Sequence, residues 1–121
     1  MTTRDILRMH ACAFNGRDVE SMVAQATPAT AIFKDGRWVG EGLEAVRRAI
    51  LDEYARGDVI GRLMTLDGET VLAEWSGPEG ARVPTGAMRI QAGPSSQIRE
   101  LRIDHDEDIV RRLVSRAVVP S

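Results

Sequence analysis

The stretch ATAIFKDGRWVGEGLEAVRRAI, residues 29–50, holds the reading on which the fold turns. Ala31, Ile32 and Phe33 have the run of a buried strand, and the charged pair Lys34-Asp35 follows at once. Asp35-Gly36 is a common turn pair, so the chain is expected to reverse there into RWVGEG (37–42). Leu43, Val46, Ile50 and Tyr54 then recur as the apolar stripe of a helix running to about Arg56, which Gly57 closes.

Upstream, Leu7, His10, Ala11 and Phe14 mark one face of a helix from about Thr3 to Asn15, and Asn15-Gly16 stops it. Asp18 is the expected N-cap of a second helix that carries Val19, Met22, Val23 and Ala26 inward and ends near Pro28. Downstream of Asp58 the pattern is antiparallel strand. VIGRLMTL (59–66) leads through Asp67-Gly68 to ETVLAEWS (69–76), and a GPEG turn precedes RVPTGAMRIQAG (82–93). A GPSS loop then leads to QIRELRIDH (97–105), and a last helix, EDIVRRLVSRA (107–117), has Ile109, Val110, Leu113 and Ala117 on its inner side. Helices early and strands late predict an α+β domain with helices gathered on one face of a curved antiparallel sheet. Five aromatic residues are few to fill the space between, so a pocket is expected there.

At 121 residues the chain has the length of a single domain, taken as 1–121, with one real core. A net charge of -2, with bases and acids interleaved, gives no basis for a nucleic-acid partner. The start, MTTRDILRMH, meets charge at Arg4 and Asp5, so no signal peptide is expected. No segment approaches the ~18 apolar residues that would span a bilayer, so no membrane partner is expected and the cytoplasm is the default location. The lone Cys12 cannot form an internal disulfide and is expected as a small buried hydrophobe.

The order of elements, together with HACAFNGRDVESMV, ATAIFKDGRWVGEGLEAVRRAI and MRIQAGPSSQIRELRI, resembles the NTF2-like superfamily, of the SnoaL-like and ketosteroid isomerase type. The resemblance covers roughly residues 4 to 106. It implies three helices on the concave face of a cone-shaped sheet around a pocket. In the isomerases it would put the general-base aspartate at Asp35, with one extra residue allowed before the first strand. The tyrosine that binds the oxyanion would fall on His10. The second oxyanion donor would fall on Gly86, which has no side chain to donate.

Two readings of Asp35 therefore stand side by side: a turn residue, or a base whose pKa an apolar cavity raises. His10, between Leu7 and Phe14, reads either as a satisfied core histidine or as a donor to a carbonyl. His105 shares a strand face with Leu101 and Ile103 and so is expected to point inward with His10. Candidate pocket walls are Phe14, Phe33, Trp38 and Tyr54 from the first half, with Trp75, Thr85, Met88, Leu101 and Ile103 from the sheet. Trp75 reads as core filler before it reads as a flat wall for a planar ligand. Glu74, Arg89 and Arg102 fall on the outer face, as cross-strand ion pairs or a homodimer contact. No metal-ligand spacing, phosphate loop or dinucleotide fingerprint occurs, so no metal or cofactor is expected.

The functional expectation is a small cofactor-free isomerase, cyclase or dehydratase acting by proton transfer on an apolar or polycyclic carbonyl compound. Asp35 would take the proton, His10 would stabilise the enolate and His105 would orient or return the proton. The alternatives are a small-molecule-binding domain without turnover, and a dimerisation domain whose cavity is filled.

Overall fold

A computed structural model of the chain describes residues 3–57, 59–66, 70–76, 85–93 and 97–117. The expected turns at Asp67-Gly68 and 77–80, and residues 94–96 of the GPSS loop, lie outside them. Helix α1 spans Thr3–Asn15 and helix α2 Val19–Val23; strands β1 (Ala26–Lys34) and β2 (Arg37–Glu41) form a hairpin. Helix α3 (Leu43–Arg56) leads to strands β3 (Val59–Leu66), β4 (Thr70–Ser76), β5 (Gly86–Ala92) and β6 (Ile98–Asp104), and helix α4 (Glu107–Arg116) ends the fold.

The six strands form one sheet in the order β2-β1-β6-β5-β4-β3. Helix α3 carries the chain from one sheet edge to the other, and the meander β3 to β6 returns to β1 from its free side. The closing β1–β6 ladder is parallel, and the other four are antiparallel. Its pairing lapses between Ala26 and Ala31. Pro28, which has no N–H to give, sits in that lapse, and the Thr30 hydroxyl donates to the Ile98 carbonyl across it at 2.5 Å. Because β1 begins at Ala26, α2 is shorter than the spacing of Val19, Met22, Val23 and Ala26 predicts. Its N-cap is as expected, with Asp18 accepting from the Ser21 N–H at 3.2 Å.

Strand alternation divides the sheet into two faces. Val71, Ala73, Met88, Ile90, Leu101 and Ile103 face α1, α2 and α3 and join Ile6, Leu7, Phe14, Met22, Ile32 and Ile50 in the main core. The opposite parity, Leu72 and Ala87 with Met64 and Leu66, packs under Leu113 of α4 in a second, smaller core. Helix α4 therefore covers the β3–β5 part of the outer face. Over β1, β2 and β6 the outer face carries Phe33, Trp38, Glu100 and Arg102 in place of an apolar core.

At the β3 edge the Asn15 side chain takes both backbone groups of Ile60. Its Nδ2 donates to the Ile60 carbonyl at 3.0 Å, and its Oδ1 accepts from the Ile60 N–H at 2.8 Å. The residue that ends α1 thus also binds the free edge of the sheet.

Candidate functional site

Asp35 and Gly36 both have positive φ, 51° and 80°. This is the backbone of a tight type I′ hairpin turn, where Asp is tolerated and Gly is at ease. The turn reading is what the backbone adopts, and the Asp35 carboxylate does not point into the core. Its Oδ1 accepts from two backbone N–H groups, His105 at 2.7 Å and Asp106 at 2.8 Å. The Asp35 N–H donates to the Ile103 carbonyl at 3.0 Å. Partial burial would raise the pKa of Asp35. The two N–H bonds and the nearby positive charges of His105 and Arg56 outweigh it and hold the carboxyl below its usual 3.8.

His10 is fully buried on α1. Its Nδ1 lies 2.9 Å from the Gln25 side-chain oxygen, which only accepts, so the proton sits on Nδ1. Nε2 is left as a buried atom with no hydrogen-bond partner among the described residues. Burial lowers its pKa from 6.5 to about 4, against a smaller opposing effect of the Gln25 bond, so the ring is neutral. An orphaned buried acceptor of this kind costs about 1–3 kcal/mol.

His105 stands at the end of β6, where α3 and α4 approach the sheet from its two sides. Its Nε2 is 2.7 Å from Oε2 of Glu53, and its Nδ1 is 3.2 Å from the Thr85 carbonyl. A carboxylate and a carbonyl both accept, so a ring that satisfies both carries two protons. Burial alone would depress the pKa of His105. The hydrogen bond and charge of Glu53, with the Thr85 carbonyl, overcome it and raise the pKa above 6.5, with Arg56 opposing. Glu53 is 1% exposed, and Arg56 Nε is 3.8 Å from the same oxygen.

Glu53 is the residue that sequence reasoning missed. It follows Val46, Ala49 and Ile50 on the buried stripe of α3. A carboxylate at a buried helical position requires a partner, which is the signal that was available.

Thr85 and His105 open onto a cleft of about 580 Å³, walled by Glu107, Val110, Arg111, Val114 and Ser115, one stripe of α4. The volume is of the size that small-molecule sites occupy. Valines make the middle of the wall, and the Arg111–Glu107 pair at 2.7 Å marks its rim.

The other expected pocket walls do not gather at this cleft. Phe14, Met88, Leu101 and Ile103 are at most 1% exposed. They are buried in the main core. Tyr54 is half-buried, with its ring 5.0 Å from that of Phe14 and its hydroxyl 3.5 Å from Met22 Sδ. The Arg17 guanidinium lies over both rings. Phe33 falls on the outer face, because strand alternation turns it away from the buried Ile32, and the Arg102 guanidinium stacks 4.0 Å from its ring. Trp38, opposite Phe33 across the hairpin, is 59% exposed. The Trp75 and Glu74 side chains lie outside the described residues. Cys12 is exposed rather than buried, since it falls one residue off the α1 core stripe. His10, Asp35 and His105 therefore do not converge on one space. Only the last two are joined, and they meet through the backbone of His105. Among the described residues no three His, Cys, Asp or Glu side chains are grouped to hold a metal ion, and no helix is long and apolar enough to cross a membrane.

No family model and no curated protein matches the chain. Solved structures do. A Sinorhizobium meliloti protein described as a "putative polyketide cyclase" matches at 21% identity and TM-score 0.64, over 85% of this chain and 99% of that one. An NTF2-like protein of unknown function from Cytophaga hutchinsonii matches at 16% identity and TM-score 0.61, over 92% and 96%. A "putative isomerase of the SnoaL-like family" from Agrobacterium tumefaciens matches at 18% identity and TM-score 0.60, over 86% and 97%. The chain has the NTF2-like fold, of the kind found in SnoaL-like proteins. At these identities the likeness is one of fold, and chemistry has to be argued from the residues.

Proposed function

We propose that the protein is a cofactor-free enzyme that moves a proton on an apolar carbonyl compound bound in the cleft along α4, with His105 as the group that carries the proton. Once the Nδ1 proton that bonds the Thr85 carbonyl is lost to solvent, His105 is neutral and held in the Nε2–H form by Glu53. Nδ1, released from Thr85, then takes a proton from the carbon next to the substrate carbonyl. Glu53 stabilises the imidazolium so formed, and the same Nδ1–H returns the proton to another carbon or to oxygen. Isomerisation is complete on that return, and cyclisation or dehydration starts from the same enolate. The base role thus moves from Asp35, whose facing oxygen is engaged by two N–H groups, to His105. The observation that carries the reading is the buried Glu53 carboxylate 2.7 Å behind a histidine that lines a ligand-sized cleft. The two fold neighbours described as a cyclase and an isomerase are consistent with it.

The test is exchange of carbon-bound hydrogen for deuterium in a panel of apolar cyclic ketones, followed by proton NMR in D₂O. The wild type is expected to accelerate exchange of at least one, and His105→Gln to lose about 10²–10⁴ of that rate. Equal exchange by the variant overturns the assignment. A ketone that perturbs the His105 signals without exchanging identifies a binding domain instead.

A second copy of the chain is the occupant we propose for the open part of the outer sheet face. Trp38 stands exposed there beside Phe33 and Arg102, where α4 gives no cover. Arg102 is joined to Glu100 on the same surface. Sedimentation of wild type against Trp38→Glu is expected to show a dimer and a monomer respectively; two monomers reject the contact.

A further inference from the structure

The side chain of Asp35 does more than complete its turn. It reaches from the β1–β2 hairpin to the junction of β6 and α4, a separation of about seventy residues along the chain. Three hydrogen bonds make the tie: Asp35 N–H to the Ile103 carbonyl, then His105 N–H and Asp106 N–H to one carboxylate oxygen. The parallel β1–β6 ladder ends at Lys34 and Ile103, so the carboxylate continues it by one step where the backbone turns away. Asp106, gripped by its N–H, is in turn the N-cap of α4, accepting from Asp108 N–H at 3.0 Å and Ile109 N–H at 3.2 Å. One carboxylate therefore fixes the backbone of His105 and the start of the helix that walls the cleft.

We propose that Asp35 is a positioning residue: its carboxylate sets His105 against Glu53 and holds the first turn of α4 beside the cleft. The proposal rests on the reading of His105 as the acting group, but the imidazole reports on it without a substrate, so the two fail separately. The charged groups around the tie are the His105 ring, Arg56 from α3, and Asp104 at the end of β6. Lys34 is turned away to Asp52 at 3.3 Å. Asp104 feels Asp35 as a like charge and is itself bonded to Arg89 at 3.3 Å on the outer face.

The chain has only two histidines, so NMR of ¹³C-labelled imidazoles resolves the question directly. Asp35→Asn keeps an oxygen that accepts both N–H groups and removes the charge. Asp35→Gly removes the two carboxylate bonds and keeps the backbone bond to Ile103, and glycine adopts φ 51° without strain. In Asp35→Gly the His105 midpoint is expected to move down from its raised wild-type value, and the Nε2–H signal toward Glu53 to weaken. Asp35→Asn should retain that signal while the midpoint moves down by less. His10, buried elsewhere, should titrate as in the wild type in both variants and so report an intact core. A His105 titration unchanged in Asp35→Gly overturns the proposal. Identical behaviour of the two variants also overturns it, since only charge would then matter. Should Asp35→Gly fail to fold, the wild type still decides: the His105 and Asp106 amide shifts must follow protonation of Asp35 below pH 3.8. Amides blind to that step refute the tie.

Discussion

The two histidines sit in one fold and end in opposite states. His10 is surrounded by core on α1, has a neutral amide for its single partner among the described residues, and stays neutral down to about pH 4. His105, at the rim, has a buried carboxylate on one nitrogen and keeps its proton above the ordinary range. Burial acts on both in the same direction, by disfavouring charge. What separates them is the partner: an amide oxygen cannot repay desolvation of an imidazolium, and a carboxylate 2.7 Å away does. A histidine pointing inward is thus no evidence of function until its second nitrogen is accounted for.

The most severe way to break the contrast is to take the carboxylate from His105. Glu53→Ala should cost about 3 kcal/mol in urea unfolding, because it strands a half-buried cation and leaves a void on α3. It should also bring the His105 midpoint below 6.5, toward the behaviour of His10. Acid comes next. Between pH 6.5 and about 4 the unfolded chain binds a proton at His10 that the folded chain refuses, so stability falls as pH drops. The full span corresponds to about 3 kcal/mol, present above pH 6.5 and gone near pH 4. His105 has the opposite sign, since its contribution is whole below pH 6.5 and fades as pH rises through its raised midpoint. Denaturant midpoints measured from pH 4 to above neutrality should therefore lose the acid limb in His10→Phe and the alkaline limb in Glu53→Gln. The smallest effect is that of His10→Phe at neutral pH. Removing the orphaned nitrogen while keeping a ring of similar size should gain about 1 kcal/mol in the same titration. A loss there would mean that the bond to Gln25, or a partner of Nε2 such as a trapped water, is worth more than the orphaned nitrogen costs.

Much of the fold was legible in the sequence because it rests on local periodicity. The α1 face, the Asp35-Gly36 turn, the α3 stripe and the meander all follow from spacing within a few residues. The continuous apolar run Ala31-Ile32-Phe33 conceals an alternation that sends Phe33 outward to Arg102. Pro28 looked like the end of a helix and lies instead in a gap of β1 pairing. The site was less legible for two physical reasons. The acceptors and donors that define Asp35 and His105 come from elements distant along the chain, so no spacing encodes them. Glu53, by contrast, stood on an apolar stripe where charge is costly, and reading only the hydrophobic positions of α3 passed it over.

Asn15 has a consequence at the level of many molecules. Strand β3 is an end of the sheet, and its outward N–H and C=O groups are a template on which another chain can pair. By bonding both groups of Ile60, Asn15 stands where the next strand would lie. The last residue of α1 is thus a guard against self-assembly: a chain with leucine at that position would expose an unpaired rung and be prone to fibrous aggregation.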